Sequence, residues 1–232
     1  MELKTCLALL LFVSAQASVL PVEKCTLTDK SCMIAAAQKM MPVFAAGMPE
    51  YGVEVLDPMA LYDLKFDLAG LQFSMTGATM KGLKNVIVNE FDWDTNKNIF
   101  AIGIAGDISV KGHYTAGGQV LILPITGDGQ IKIKMKNLHI KLFIHFAMED
   151  GYVKPTKYSF EFDIKDSCQY QLTNLFNGNK ELSDAMLFFL NDNWKQLSTQ
   201  FGRPMMDNAA KQFFNNIASF LGKLPIAEIA NV

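Results

Sequence analysis

One segment, residues 130–146, constrains the possible fold more than any other part of the chain. Apolar residues occupy positions 131, 133 and 135 with lysines between them, and after Asn137 the apolar residues move to positions 138, 140, 142 and 144. Strict alternation is typical of a β-strand that is buried on one face. A one-residue slip of that alternation within one strand predicts a β-bulge, which bends and twists a sheet. We therefore predict a long, curved strand here.

Further strand patterns occur at positions 64–68, 71–76, 86–88, 99–104, 120–125 and 158–164. The first two and the last of these alternate, whereas the other three are apolar runs, which suggest strands covered on both faces. Short loops rich in Gly, Asp or Asn are predicted at 126–129 and 149–151, and a polar hairpin loop at 94–98. Such short connections favour an antiparallel sheet over alternating strands and helices.

Helical periodicity marks both ends of the chain. It predicts an amphipathic helix over 31–46, which Pro42 is expected to kink or end early. Two apolar stripes, over 182–201 and 205–221, predict helices in the last third, with Pro204 beginning a new helix or kinking a long one. The predicted fold class is α+β: a long, curved antiparallel sheet closes on a long apolar helix, in one domain over residues 18–232.

The first residues have the three parts of a secretory signal peptide. Lys4 supplies the positive end, residues 6–13 form a short apolar run, and small residues at 15–17 offer a cleavage site. We predict that residues 1–17 are removed and that the protein is secreted into an extracellular fluid. In that oxidising setting Cys25 and Cys32 are expected to form a disulfide. Cys168 is then a buried free thiol, an intermolecular link or a reactive site.

Charge and motifs argue against several classes of function. The net charge of −2 argues against a nucleic-acid partner. No HExxH, GxSxG or P-loop pattern occurs, and the histidines and Cys168 lack the spacing of metal ligands. Residues 94–98 open like a calcium loop, but Ile99 and Ala105 stand where Gly and Glu are needed. We therefore expect no metal and no cofactor.

Three questions stay open at this point. The apolar half of the composition, with 13 Met and 17 Phe, fits either a large core or a cavity lined by adaptable side chains. The stripe of Lys132, Lys134 and Lys136 fits either a solvated outer face or a transient contact with an anionic membrane or a receptor. A secreted hydrolase acting on a lipophilic ester, built from distant Ser, His and Asp residues, is the alternative function from another class.

Several stretches resemble the insect juvenile-hormone-binding and takeout family. The first is Cys25 and Cys32 ahead of a helix. The most specific is Gly-Met-Pro-Glu-Tyr-Gly-Val at 47–53, followed by Leu-Asp-Pro-Met at 56–59. The third, Asn-Leu-Phe-Asn-Gly at 174–178 with Phe-Leu-Asn-Asp-Asn-Trp at 189–194, resembles the takeout branch in particular. The similarity extends from Cys25 to about position 225, nearly the whole mature chain.

The resemblance implies a long C-terminal helix wrapped by a strongly curved antiparallel sheet that encloses an elongated apolar tunnel. It also implies an extracellular carrier of a juvenile-hormone-like sesquiterpenoid, an isoprenoid or a fatty-acid-like molecule. The hormone carriers of the haemolymph usually have a second disulfide between the sheet and the C-terminal helix, whereas no cysteine follows Cys168 here. This difference favours the takeout branch and argues against juvenile hormone itself as the ligand.

We therefore predict a monomeric, secreted carrier that catalyses nothing and binds one small lipophilic ligand inside the fold. The side chains expected to line the binding space are large and are either flexible or aromatic: Met40, Met41, Phe44, Phe73, Met75, Phe143, Phe146, Met186, Phe189, Met205, Met206 and Phe213. Tyr114 and Tyr158 are expected to offer a hydroxyl group to a polar end of the ligand.

Overall fold

The computed structural model describes residues 20–231, so the predicted signal peptide lies outside the described residues. The strands are β1 (Cys25–Thr26), β2 (Met59–Ala60), β3 (Leu64–Leu68), β4 (Leu71–Lys81), β5 (Ile87–Asp94), β6 (Ile99–Val120), β7 (Leu123–Glu149), β8 (Tyr152–Leu172) and β9 (Ala230–Asn231). The helices are α1 (Lys30–Ala46), α2 (Lys180–Asp192), α3 (Trp194–Lys223) and α4 (Ile226–Ile229). The fold is therefore α+β, with helices at both chain ends and strands between, as predicted.

The main sheet has seven strands and is antiparallel throughout. Its order is β2-β4-β6-β7-β8, with β3 also paired to β4 and β5 also paired to β6. The 27 residues of β7 would extend about 90 Å if the strand were straight. The 30 residues of α3 extend only about 45 Å. Because β7 is about twice as long as the helix, the sheet stays in contact with α3 only by curving.

The bulge that curves the sheet lies where the sequence predicts it. The pairing of β7 with β6 shifts register between Gly106 and Ile108, and its pairing with β8 shifts between Lys136 and Leu138. Asn137 adopts a positive φ of 52°, and its backbone N–H donates to Asp107 Oδ1 at 2.9 Å. The extra residue keeps Met135 and Leu138 on the same face, and both are buried. The phase change of the sequence thus produces one continuous apolar face.

The turn predicted at 126–129 is wrong, because these residues lie inside β7. The hairpin between β6 and β7 turns instead at Leu121, whose φ is 55°. A Cβ atom on Gly127 would lie 2.4 Å from the Tyr114 hydroxyl oxygen, and one on Gly129 would lie 2.5 Å from the carbonyl oxygen of Thr173. These glycines permit close contacts between neighbouring strands rather than a turn. The loops predicted at 94–98 and 149–151 are confirmed.

Neither proline ends a helix or begins a new one. α1 continues through Pro42 and ends at Gly47, which has a φ of 91°. In the C-terminal third, the chain breaks at Asn193 instead, and α3 continues through Pro204. The carbonyl oxygen of Phe189 accepts from both the backbone N–H of Asn193, at 3.0 Å, and its side-chain amide, at 2.9 Å, which caps the end of α2. A capped end at Asn193 therefore separates the two C-terminal helices, and one lost hydrogen bond at Pro204 does not.

The first and last described segments meet beside α1. β1 pairs in parallel with β9, so that Cys25 lies opposite Ala230. Cys25 and Cys32 form the predicted disulfide, with an S–S distance of 1.95 Å. Lys24 Nζ donates to the carbonyl oxygen of Ala227 at 2.7 Å and lies 3.3 Å from Glu228. One continuous core of buried hydrophobic residues extends from Leu20 to Ala230. Between residues 20 and 231, no helix combines the length and the apolar composition needed to span a bilayer.

Candidate ligand-binding site

Three apolar cavities are lined by successive parts of α3. The first, which we call the sheet cavity, has a volume of about 110 Å³ and is lined by α3 between Leu197 and Met206. The central cavity, of about 30 Å³, is lined by α3 between Ala209 and Phe213. The disulfide cavity, of about 160 Å³, is lined by α3 between Phe213 and Leu221. The three together extend about 36 Å along the helix, from Leu197 to Leu221.

The sheet cavity lies between α3 and the concave face of the sheet. Its walls are formed mainly by strands: Phe66, Leu71, Phe73, Ala116, Val120, Ile125, Ile131, Ile133, Met135, Phe162, Ile164, Cys168, Tyr170, Leu172, Leu190, Leu197, Ser198, Phe201, Gly202, Met205 and Met206. Only Cys168, Tyr170 and Ser198 of these described residues carry a polar atom on the side chain. None of them carries a charge. The strands are paired along most of their length, apart from the register shifts at the bulges, and this pairing holds the wall in position.

The disulfide cavity has walls of a different kind, formed mainly by helices and by the first described segment, residues 20–27. They comprise Leu20, Val22, Cys25, Leu27, Met33, Ala36, Ala37, Met40, Met41, Phe44, Phe91, Trp93, Phe100, Ile102, Phe213, Ile217, Phe220, Leu221, Ile226 and Ile229. Aromatic rings join these elements. Phe44 of α1 meets Phe213 and Phe220 of α3 edge-to-face, at 5.8 and 5.9 Å between ring centroids. Such pairs favour a defined geometry beyond their hydrophobic burial.

The central cavity lies between the other two and is close to the disulfide cavity. Ile102 and Phe213 line both of them. Met59 and Met80, which also line the central cavity, have unbranched side chains that adapt to irregular shapes. Ile102 and Phe213 therefore form the boundary between the two cavities.

The structure brings part of the predicted lining residues together in two groups. Met40, Met41, Phe44 and Phe213 line the disulfide cavity. Phe73, Met205 and Met206 line the sheet cavity. The other predicted residues lie outside the cavity walls: Met75, Phe143, Phe146, Met186 and Phe189.

Two of these side chains lie away from the cavities for reasons of strand geometry. Phe143 faces the side of β7 opposite to the buried Leu142, because successive side chains of a strand alternate. On that outer face, the Lys141 ammonium lies 5.0 Å from the centre of the Phe143 ring. Phe146 packs behind the disulfide cavity, with its ring 4.9 Å from Trp93 and 6.1 Å from Phe100.

The other three are core residues or belong to α2. Met75 is 1% exposed and lies against Gly112, where a Cβ atom would be 3.1 Å from its Cγ. Met186 and Phe189 lie on α2, which packs against the edge strand β8 through hydrogen bonds between Asn191 and the backbone of Tyr170. α2 therefore covers an open sheet edge and contributes little to the cavity.

The predicted tyrosine hydroxyls have partners within the protein. Tyr114 OH donates to the carbonyl oxygen of Thr173 at 2.9 Å, and burial raises the pKa of Tyr114 to about 12. Tyr158 OH donates to Asp207 Oδ1 at 3.1 Å. The tyrosine on the cavity wall is Tyr170, which the sequence analysis missed. Continuing the alternation of 158–164 through positions 168, 170 and 172 would have placed Tyr170 on the inward face.

The outer face of the sheet carries the charged residues considered above. Lys132 lies opposite Lys111 on β6, and the positive charges of Lys134 and Lys111 lower the pKa of Lys132. His113, on the same face, lies 2.8 Å from Asp128. No histidine of the described chain lines the three cavities, and no group of three metal-binding side chains occurs in residues 20–231.

Comparison with known proteins agrees with this architecture. Residues 6–231 match the family described as haemolymph juvenile hormone binding protein (JHBP). The circadian clock-controlled protein daywake of Drosophila melanogaster is 29% identical over 90% of this chain and 86% of its own length. The juvenile hormone-binding protein of Manduca sexta is 29% identical over 38% of this chain and 40% of its own. The crystal structure of Epiphyas postvittana Takeout 1 superimposes with a TM-score of 0.89 and 54% identity, covering 91% of this chain and all of that one.

Proposed function

Because the chain belongs to the haemolymph juvenile hormone binding protein (JHBP) family, we propose that it is a secreted carrier that binds one small lipophilic molecule along α3. The observation that carries this proposal is the row of three apolar cavities. Protein interiors are normally close-packed, with few voids larger than a water molecule. Cavities of about 110 and 160 Å³ in one core are therefore exceptions, and their walls suit an apolar occupant.

An elongated ligand fits the arrangement best. The cavities follow one helix, and the central cavity shares Ile102 and Phe213 with the disulfide cavity. Burial of about 300–400 Å² of apolar ligand surface contributes roughly 8–10 kcal/mol at about 25 cal/mol per Å². The loss of translational and conformational freedom offsets part of this, which leaves micromolar to nanomolar affinity. An isoprenoid or another long-chain lipid meets these requirements.

A carrier function, without turnover, is supported by the side chains on the cavity walls. Hydrolysis of a lipophilic ester needs a nucleophile next to a general base. Ser198 is the only hydroxyl-bearing aliphatic side chain described on the wall of the sheet cavity, and no histidine lies on that wall. Ser198 Oγ instead donates to the carbonyl oxygen of Trp194 at 2.7 Å.

Native mass spectrometry of the secreted protein tests the proposal. The full chain is expressed in insect cells, purified from the medium, and its mass compared before and after organic extraction. We expect one bound lipophilic molecule per chain and an N-terminus that begins after Ala17. A ligand-free mass, together with no binding of farnesol, a long-chain quinone or a fatty alcohol, would contradict a carrier. Release of a hydrolysed product would favour the esterase alternative.

A further inference from the structure

The polar atoms on the wall of the sheet cavity are gathered in one place. Cys168 and Tyr170 lie on successive inward positions of β8, and Ser198 faces them from the first turns of α3. The Tyr170 hydroxyl lies 3.5 Å from Ser198 Oγ. Cys168 is 2% exposed and Ser198 is 8% exposed. Every other described side chain on this wall is apolar or is a glycine.

The hydrogen bonds within this cluster leave capacity for a further partner. The Ser198 hydroxyl uses its proton in the bond to the Trp194 carbonyl oxygen at 2.7 Å. The contact between Tyr170 and Ser198 is longer than the usual 2.7–2.8 Å of an O–H···O bond. The other partner of the Tyr170 hydroxyl is the Cys168 thiol, and sulfur is a weak hydrogen-bond acceptor, so a ligand oxygen can compete for the Tyr170 proton. A phenol also accepts hydrogen bonds, and a thiol is a weak donor. The cluster therefore offers donors and an acceptor to a group inside the cavity.

The cluster and the rest of the sheet-cavity wall are electrically neutral. Burial raises the pKa of the Tyr170 hydroxyl and of the Cys168 thiol, so both keep their protons at physiological pH. No Lys, Arg or His occurs among the described residues of this wall. A carboxylate placed here would lose its hydration without gaining a counter-charge, which is strongly unfavourable. A neutral oxygen would instead gain hydrogen bonds.

We propose that Cys168, Tyr170 and Ser198 bind the one neutral, oxygen-bearing end of the ligand, while its hydrocarbon part extends along α3 toward the disulfide cavity. This inference rests on the proposed carrier function. It narrows the ligand class to long-chain or isoprenoid alcohols, ketones and esters, and it excludes a fatty-acid anion with its head in the sheet cavity. It also fixes the orientation of the ligand, because the disulfide cavity offers no comparable polar cluster among its described wall residues.

Three probes of similar chain length test the proposal on the mature protein. Tetradecan-1-ol, tetradecanoate at pH 8 and pentadecane compete with a fluorescent apolar reporter for the cavities. We expect the alcohol to bind at least about 5-fold more tightly than the alkane, since one net hydrogen bond is worth about a factor of 5 in affinity. The carboxylate should bind more weakly than the alcohol.

Variants locate the effect at the cluster. Tyr170→Phe should weaken alcohol binding by about 5-fold and change alkane binding by less than 2-fold. Tyr158→Phe is the matched control, because it removes a tyrosine hydroxyl that bonds to Asp207 outside these cavities. It should change neither affinity. Ser198→Ala provides a second position in case Tyr170→Phe does not fold.

A spectroscopic measurement on the unaltered protein completes the test. Cys25 and Cys32 are paired, so Cys168 is the only free thiol among the described cysteines. Its infrared S–H stretching band should shift with tetradecan-1-ol and stay in place with pentadecane. Equal affinities for alcohol and alkane, with the reporter still displaced, would overturn this inference and leave the carrier function intact. Failure of the reporter and of every probe to bind would overturn both.

Discussion

The sheet cavity and the disulfide cavity are lined by opposite parts of the same helix, but different kinds of secondary structure form the rest of their walls. Hydrogen-bonded strands form most of the first, and they carry Cys168 and Tyr170 of its polar cluster, while Ser198 comes from α3. Helices α1 and α4 and the segment 20–27 form most of the second, and aromatic rings and a disulfide hold them together.

This difference suggests a division of roles between the two cavities. Hydrogen bonding to a ligand needs donors fixed to within a fraction of an ångström, and a hydrogen-bonded sheet provides that rigidity. Burial of a hydrocarbon chain is non-directional and tolerates side-chain movement, so methionines and aromatic rings on helices suffice. The sheet cavity would then determine which polar group of the ligand is bound, and the disulfide cavity would limit the length and bulk of its hydrocarbon chain.

The largest expected effect comes from Phe213→Ala. Phe213 is buried and lines both the central and the disulfide cavity, so its truncation removes packing and joins the two. We expect a loss of about 3–5 kcal/mol in the free energy of unfolding, measured in urea. Phe201→Ala is the matched control, because Phe201 is equally buried but lines the sheet cavity.

Ligand binding distinguishes these two variants. Phe213→Ala should improve the affinity for long chains relative to short ones and keep the preference for alcohol over alkane. Phe201→Ala should reduce that preference, because a larger cavity holds the polar end less closely to Tyr170. If both variants change the preference for ligand chain length and the preference for alcohol over alkane to the same extent, the two cavities do not have separate roles.

Removal of the disulfide should have the next largest effect. The bond between Cys25 and Cys32 closes a short loop, which in the chain-entropy model contributes roughly 2–3 kcal/mol. The double variant Cys25→Ser, Cys32→Ser should lose about that much stability. It should also lower the affinity for long-chain ligands more than the affinity for short ones, because Cys25 lines the disulfide cavity. Loss of the alcohol preference in this variant would contradict the separation of roles.

The difference between the cavities was only partly predictable from the sequence. The bulge at Asn137 was predictable, because alternation over many residues indicates which face of a strand is buried, and a one-residue slip in it is visible in the sequence. The sequence wrongly predicts a turn at the glycines 127 and 129, because the close approach of Tyr114 and Thr173 depends on neighbouring strands that a local pattern does not reveal. The same limit applies to Phe143, whose apolar side chain lies on the outer face beneath Lys141.

The polar cluster was less predictable than the apolar walls. Large apolar side chains at helical spacing indicate burial, so Met40, Phe44 and Phe213 were identifiable as inward-facing. Ser198 and Tyr170 are far apart in sequence and meet only because α3 crosses the end of β8. Their meeting depends on how the sheet curves over the helix, and this is set by the whole length of the strands.

A pH titration gives the next prediction, about the thiol of the sheet cavity. Burial raises the pKa of Cys168, so the folded protein keeps a proton that the unfolded chain loses above a pKa of about 8.5. The stabilising contribution is therefore present below that pH and is lost as the pH rises. The difference in unfolding free energy between the wild type and Cys168→Ala should fall by up to about 1.4 kcal/mol per pH unit between pH 9 and 10. A difference that stays constant over this range would contradict a buried, protonated thiol.

The smallest expected effects come from two glycines of α3. A Cβ atom on Gly202 would lie 3.2 Å from Phe162 Cζ on the wall of the sheet cavity, whereas one on Gly222 would meet nothing within 4 Å. Alanine is more favourable than glycine in a helix by up to about 1 kcal/mol. Gly222→Ala should therefore raise the free energy of unfolding by a few tenths to about 1 kcal/mol without affecting binding.

Gly202→Ala should show a smaller gain, because the new methyl group displaces the Phe162 ring. That ring would move toward the cavity and narrow the space around the ligand's polar end, so alcohol affinity should fall by about 2- to 5-fold. Thermal unfolding and the competition assay measure both quantities on the same samples. If Gly202→Ala gains as much stability as Gly222→Ala and binds the alcohol equally well, the strand-built wall is less rigid than its hydrogen bonds indicate. The contrast between the two cavities would then depend on polarity alone.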